Sequence, residues 1–410
     1  MMRKASPMYR IIFVDDEQRV LDGLRRLLRP QRREWEMVFA KSGAEALEKI
    51  AAGNFDVIVS DMRMPEMDGF ALLTRIREQW PHMIRIILTG HTEMEAVLKI
   101  IPVAHQVLHK PCEVTDLKSA IERSFRLKSY LSNDELLRII GGIDSLPILP
   151  EVYDELTRQL ADENTSFHAL GDTIEKDAGL SAKVLQIVNS ALFGLPHKVS
   201  NISHAIHMLG INTVKNLVMA VSLYPDGASS YSAAKLSLAH ERQHALYVGK
   251  TAASLLKDKE LADTAQTAGI LHDIGKLVLA LYYKKEYGTL IDKAKQGERE
   301  LYELEQDHFG LTHAEAGAYL LGIWGLPYAV VEAVALHHKP ELIDHEYFPA
   351  GTAVFLANQL AHVEEKSHSD TALEERIARI VSTTELQACF EKDVFRLESH
   401  KSLQALCTKA

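Results

Sequence analysis

Residues 268–279 read AGILHDIGKLVL, an apolar helical run interrupted by His272, Asp273 and Lys276. Imidazole and carboxylate are metal-ligand types, and a lysine four residues after the histidine falls on the same helical face, where it can meet a phosphate. The same half of the chain carries His244 in ERQHALYVGK, His313 in HAEAG and the doublet His337-His338. Metals held by such sets lower the pKa of bound water and make a nucleophile near neutral pH. Any one of these histidines taken alone reads as a satisfied core or surface residue. Together they leave two readings open: a metal centre that hydrolyses phosphate esters, or the shell of one kept for another purpose.

A second constellation lies near the N-terminus. Asp15 and Asp16 follow the apolar run RIIFV, Asp61 follows DVIVS, Thr89 ends IRIIL, and Lys110 follows QVLH and precedes Pro111. Three carboxylates converging on one point repel each other and favour a hard divalent cation such as Mg2+. A carboxylate beside Mg2+ and a lysine can accept a phosphoryl group, because the cation and the ammonium neutralise the transferring oxygens. The alternative is five unrelated polar residues at strand ends, and it fails to explain why all five fall where one pocket needs them.

The elements that must position these groups differ between the halves. In the first 125 residues, short apolar runs alternate with helical patterns such as VLDGLRRLL, GAEALEKIA and FALLTRIREQW. That alternation predicts a five-stranded parallel, doubly wound α/β sheet with ligands at the carboxyl ends of its strands. EVTDLKSAIERSFRLKSYL continues as a helix, with Leu117, Ile121 and Leu131 on its apolar stripe. SNDELLRII then starts another, with Ser132 and Glu135 spaced as a capping box and Gly141-Gly142 at its end. Beyond Leu146 the pattern is all-helical: Pro150 opens a helix, two more break near Gly179, and 226–234 reads as a loop.

The chain has 410 residues, enough for two or three domains, with 47% apolar and 25% charged residues. No apolar run approaches the roughly 18 residues that span a bilayer, and the start lacks the long apolar region of a signal peptide. Cys112, Cys389 and Cys407 are too few and scattered for a disulfide framework, so a cytoplasmic location with no membrane contact is expected. Residues 1–130 carry a net +3 and the remainder a net −13, with 15 of the 19 histidines in the acidic part. An acidic C-terminal half disfavours nucleic-acid binding.

Residues 8–127 resemble the receiver domain of bacterial response regulators. The resemblance implies that Asp61 is the phosphoacceptor, that Asp15, Asp16 and Asp61 with the Arg63 carbonyl hold Mg2+, and that Thr89 and Lys110 contact the phosphoryl group. Val107 stands three residues before the lysine, where the family usually has an aromatic switch residue. LPILPEVYDEL, DAGLSAKVLQIVNSALFG and AIHMLG resemble the HDOD family, relatives of the HD phosphohydrolases and of the HD-GYP cyclic-di-GMP phosphodiesterases. That resemblance implies an all-helical regulatory module with a degenerate metal site at His244, His272, Asp273, His313, His337, His338 and Asn358, and a phosphate contact at Lys276. Asn358 stands where the final Asp ligand belongs, and an amide is a weaker ligand than a carboxylate. The Gly-Tyr-Pro element is replaced by IDHEYFPAG, in which Asp344 or Glu346 are candidate substitutes.

The expectation is a response regulator: a receiver at 8–127, a helical connector at 128–145, an HDOD domain at 146–340 and a helical extension at 341–410 packing on it. Its partners are a sensor histidine kinase and a downstream protein, a cyclic-di-GMP enzyme among the candidates, and the reading allows a homodimer. The output is expected to act by protein contact; the competing reading is a phosphorylation-gated metal phosphodiesterase acting on cyclic di-GMP. Mg2+ is expected in the receiver, and a transition metal such as Fe, Mn or Zn is the ion the histidine set would prefer.

Overall fold

The computed structural model describes residues 9–90, 100, 102–112, 114–130, 134–143, 145–162, 164–190, 198–211, 213–214, 218, 231–297, 299–344 and 348–365. The chain divides into two compact units. In the first, five strands form one parallel sheet in the order β2-β1-β3-β4-β5: β1 Tyr9–Val14, β2 Trp35–Ala40, β3 Val57–Asp61, β4 Ile84–Thr89 and β5 Gln106–His109. The helices between them are α1 Gln18–Leu27, α2 Gly43–Ala51 and α3 Gly69–Gln79. β3 and β4 are buried along their whole length, which is why their sequences are predominantly apolar rather than alternating, Arg85 in β4 being the one charged residue before their ends. Ile12, Ile58, Leu72, Ile76 and Ile87 lie in one core cluster on a face of this sheet. The strand order reverses between β1 and β3, so a crevice is expected at their carboxyl ends; Asp15 and Asp61 are at those ends.

Two further helices continue this unit, α4 Val114–Tyr130 and α5 Asp134–Gly141. Leu117 and Ile121 are buried as the stripe predicts. Leu131 and the Ser132 half of the capping box lie outside the described residues.

The regular elements among the described residues of the second unit are all helices. Its helices are α6 Pro150–Ala161, α7 Phe167–Ile174, α8 Ala178–Val188, α9 Ile202–Leu209, α10 Leu238–Ser254, α11 Lys259–Leu271, α12 Ile274–Tyr282, α13 Lys284–Lys295, α14 Leu301–Phe309, α15 His313–Ile323, α16 Tyr328–Leu336 and α17 Pro349–Glu365. Helices α10, α11, α16 and α17 pack on one another. Of the expected C-terminal extension, α17 packs against α10, α11 and α16, and 366–410 lie outside the described residues.

Three local expectations are corrected. The break between α7 and α8 falls at Glu175–Asp177, not at Gly179, which is the second residue of α8. Asp177 makes that break by accepting from Leu180 N–H and from Leu149 N–H, both at 2.8 Å. The expected loop at 226–234 is helical at 231–233, with Tyr231 buried, and 226–230 lie outside the described residues. The HDIGK run is not one helix: α11 ends at Leu271, and His272 and Asp273 form the junction to α12.

That junction is held close to α15. A Cβ on Gly275 would sit 1.9 Å from the backbone oxygen of His313, a distance no side chain tolerates. Gly275→Ala should therefore destabilise the helical unit by about 2 kcal/mol or more, in the range of core overpacking. Urea unfolding followed by circular dichroism measures it; an unchanged midpoint and slope would contradict the close approach.

Candidate functional sites

At the carboxyl ends of β1, β3 and β5, the Lys110 ammonium lies 2.8 Å from Asp15 Oδ2 and pairs as well with Asp61 Oδ1. Asp15, Asp61 and Thr89 are buried, whereas Asp16 and Arg63 are exposed. The free Asp15 oxygen accepts Glu17 N–H at 2.9 Å, and Asp61 Oδ2 accepts Arg63 N–H at 2.9 Å. Burial works against the charge on Lys110, but its hydrogen bonds to Asp15 and Asp61 outweigh that and hold it above the usual lysine range. Asp15, Asp16 and Asp61 set three negative charges against one ammonium, so a divalent cation would complete the charge balance. Val107, in place of an aromatic, is buried in the core.

In the helical unit, the expected ligands come from three helices and from the caps of three others. His244 is on α10, His272 and Asp273 lie between α11 and α12, His313 opens α15, His337 caps α16 and Asn358 is on α17. Each has a local cause. Thr312 and Glu315 form a reciprocal cap, Thr312 N–H to Glu315 Oε2 at 2.9 Å and Glu315 N–H to Thr312 Oγ1 at 3.3 Å, which fixes His313 at the first turn. His272 and His337 use the same device twice. Each caps a helix and lays its Nδ1 2.7 Å from the carbonyl three residues back, Gly269 and Val334 respectively, satisfying an acceptor the helix end would leave open.

That device decides the chemistry. With Nδ1 donating, Nε2 carries a lone pair. Burial holds His272 below the usual histidine range and His337 down to about 3, so both rings are neutral. The Nε2 atoms of His272 and His337 are buried and have no hydrogen-bond partner. Yet His272 Nε2 faces Asp273 Oδ2 at 3.1 Å, and His337 Nε2 lies 3.7 Å from Asp273 Oδ1. Lone pairs facing a carboxylate need a cation between them, so these residues fit a metal ion.

Two donor groups share Asp273: one with His313, His337 and His338, the other with His244 and His272. His313 Nε2 is 3.1 Å from Asp273 Oδ1 and 3.0 Å from His338 Nε2. Asn358 Oδ1 lies 3.1 Å from His244 Nε2, so the amide is in the cradle. Lys276 does not share a helical face with His272, because the junction intervenes, but its ammonium reaches Asp273 Oδ2 at 2.6 Å and Glu241 Oε2 at 3.4 Å. Burial opposes ionisation of Asp273, and the Lys276 ammonium together with the hydrogen bond from His313 overcomes it, holding the carboxyl well below its usual range. Asp344 is exposed, and Glu346 lies outside the described residues.

Sequence reasoning missed Glu305 and Glu241. Glu305 is fully buried, accepting from Tyr287 Oη at 2.7 Å, from His313 N–H at 2.7 Å and from His313 Nδ1 at 2.6 Å. Burial opposes the charge on His313, but Glu305 and Asp273 raise it to about 9. The signal was present: Leu301, Glu305 and Phe309 recur at helical spacing, with an acid inside an apolar stripe. Asp273 and Glu241 also line a cleft of about 530 Å³, its open mouth included, together with Leu149, Ile270 and Ile274.

The geometry predicts metal retention. Protein loaded with a divalent transition metal and desalted should keep it, and His272→Ala should lose most of it, as read by elemental mass spectrometry. Equal metal content in the two proteins would refute the cradle.

Comparison with known proteins agrees with both halves. A family model described as the response regulator receiver domain matches residues 11–122, and one described as the HDOD domain matches residues 146–340. An uncharacterized protein of Treponema pallidum (strain Nichols) is 28% identical over 226 residues, covering 54% of this chain and 43% of its own. The DNA-binding transcriptional regulator NtrC of Escherichia coli (strain K12) is 38% identical over 85 residues, 20% of this chain and 18% of its own. The chain thus spans less than half the length of these two curated relatives. The crystal structure of a virulence factor from Campylobacter jejuni subsp. jejuni matches with a TM-score of 0.55 at 18% identity, covering 68% of this chain and 98% of that one, which is a likeness of fold. With Asp15, Asp61 and Lys110 in contact at one end of a β2-β1-β3-β4-β5 sheet and a histidine cradle in a separate helical unit, the chain joins a response regulator receiver domain to an HDOD domain, the architecture of a two-component response regulator.

Proposed function

We propose that the chain is a phosphorylation-dependent signal-transduction protein in which Asp61 accepts a phosphoryl group from a histidine kinase and the HDOD domain acts on a downstream protein by contact rather than by catalysis. The observation that carries this reading is the Lys110 ammonium shared by Asp15 and Asp61 at the strand ends. On this reading the ammonium would neutralise the charge developing on the transferring oxygens, and Asp15, Asp16, Asp61 and the Arg63 carbonyl would hold Mg2+ beside it. A contact-driven output needs only a few kcal/mol of difference between two states of the output domain.

Non-catalytic output is supported by Asn358, which fills a ligand position beside His244 with a neutral amide, and by Lys276, whose ammonium already neutralises Asp273. The second reading, a metal phosphodiesterase acting on cyclic di-GMP, is supported by the bare Nε2 atoms of His272 and His337 and by the cleft that reaches Asp273. A metal bound there, Fe, Mn or Zn by the softness of imidazole, would supply an activated water. Lys276 would be the phosphate contact in that reading, but it is engaged by two carboxylates, Asp273 and Glu241.

Two measurements separate these readings. A small phosphodonor with Mg2+ should label the wild type, and Asp61→Asn should abolish labelling; a labelled variant would sink the phosphoacceptor assignment. Metal-loaded wild type should show no cyclic-di-GMP hydrolysis above background, with or without phosphorylation. Robust turnover that disappears in Asp273→Ala would establish the enzyme instead.

A further inference from the structure

We propose that Arg85 and His105 form a docking site for the carboxyl end of α5, through which the receiver holds or releases that helix according to the state of Asp61. The second half of this statement rests on the receiver chemistry proposed above. The first half rests on geometry alone.

Arg85 is the second residue of β4, in the interior of the sheet, and is 1% exposed. A guanidinium in such a place needs acceptors for its N–H groups. Nε donates to Val103 O at 2.7 Å, and Nη1 donates to Pro81 O and Met83 O, both at 3.2 Å. Nη2 donates to the carbonyl of Gly141, the last residue of α5, at 2.9 Å. His105 adds a second donor to the same oxygen. Its Nδ1 accepts the Arg85 backbone N–H at 3.1 Å, which places the ring proton on Nε2, 2.9 Å from Gly141 O. One helix-end carbonyl therefore takes two side-chain donors, at the negative end of the helix dipole. The approach is close enough to require glycine: a Cβ on Gly141 would lie 2.3 Å from Pro81 O. Leu136, Leu137 and Ile140 of the same helix are buried.

The site is wired to the phosphorylation pocket by the two strands that carry it. Arg85, Ile87 and Thr89 alternate along β4 and so share one face of the sheet. Arg85 and Thr89 are about 13 Å apart along that strand. His105 immediately precedes β5, and Lys110 immediately follows it. His105 N–H bonds to Arg85 O at 2.8 Å, and Lys110 N–H bonds to Thr89 O at 2.8 Å. Each strand thus has a pocket residue at its carboxyl end and a docking residue at its amino end, and a small displacement of the β4–β5 pair is felt at both. When the helix leaves, Arg85 Nη2 and His105 Nε2 lose the Gly141 carbonyl they share, so docked and undocked forms are discrete states rather than a continuum.

Hydrogen exchange of the full chain, read by mass spectrometry on peptides covering 134–143, tests this. In unlabelled protein, Arg85→Met should speed exchange there by about tenfold or more, while 9–14 and 57–61 stay protected. Gly141→Ala, which leaves the receiver core untouched, should do the same and decides the matter if Arg85→Met loses strand protection. Wild-type exchange rates at 134–143 in Gly141→Ala, or in a folded Arg85→Met, would overturn the docking site. Phosphodonor with Mg2+ should change exchange at 134–143 in the wild type and leave it unchanged in Arg85→Met. Labelled wild type with unaltered exchange would overturn the release step while leaving the receiver chemistry standing. A protein that takes no label would overturn the phosphoacceptor assignment and the release step with it, and the unlabelled comparison still decides the docking site.

Discussion

One carboxylate organises the helical unit. Asp273 faces four imidazoles and an ammonium, at distances from 2.6 to 3.7 Å, in a place where it is only 8% exposed. A lone buried carboxylate would neutralise itself by taking up a proton, because burial penalises the charge more than any weak contact repays. It stays ionised because helix ends deliver Lys276 and His313 to it. The packing of α11, α12, α15 and α16 therefore has an electrostatic reason to converge where it does, beyond filling space. The cradle and the fold stabilise each other.

The receiver unit solves a related problem differently. Asp15 and Asp61 come from adjacent parallel strands and are brought together by the register of β1 and β3, with Val14 opposite Ser60. Lys110 crosses from β5 to bridge them. A parallel sheet places its carboxyl ends in one row, so three residues far apart in sequence meet without any loop having to be folded specially. The helical unit has no such row, and each ligand needs its own cap or junction.

This difference explains what could be read in the amino-acid sequence. The strands, their order of burial and the five polar residues at their ends were legible, because period and strand-end position are local signals. The ligand types of the cradle were legible as a set, but not their surroundings. That AGILHDIGKLVL is two helices and not one follows from His272 turning its Nδ1 back onto Gly269 O, a choice no periodicity encodes. The break at Asp177 was placed two residues late because a glycine was weighed above an aspartate that caps two backbone N–H groups at once. Glu305 was passed over because an acid in a helix usually faces water. Its reason for being buried is Tyr287 and His313, residues 18 and 8 positions away.

The junction at His272 and Asp273 has a mechanical side. These two residues are the C-cap of α11 and the N-cap of α12, so their backbone dihedrals set the angle between the two helices. Their side chains point at partners on α10, α15 and α16. Anything that clamps the side chains together therefore also fixes the interhelical angle, as a rivet fixes two levers. Occupancy of the cradle would then be expressed as stiffness and orientation of α12 at the wall of the open cleft. Setting a shape in this way requires no bond to be cleaved.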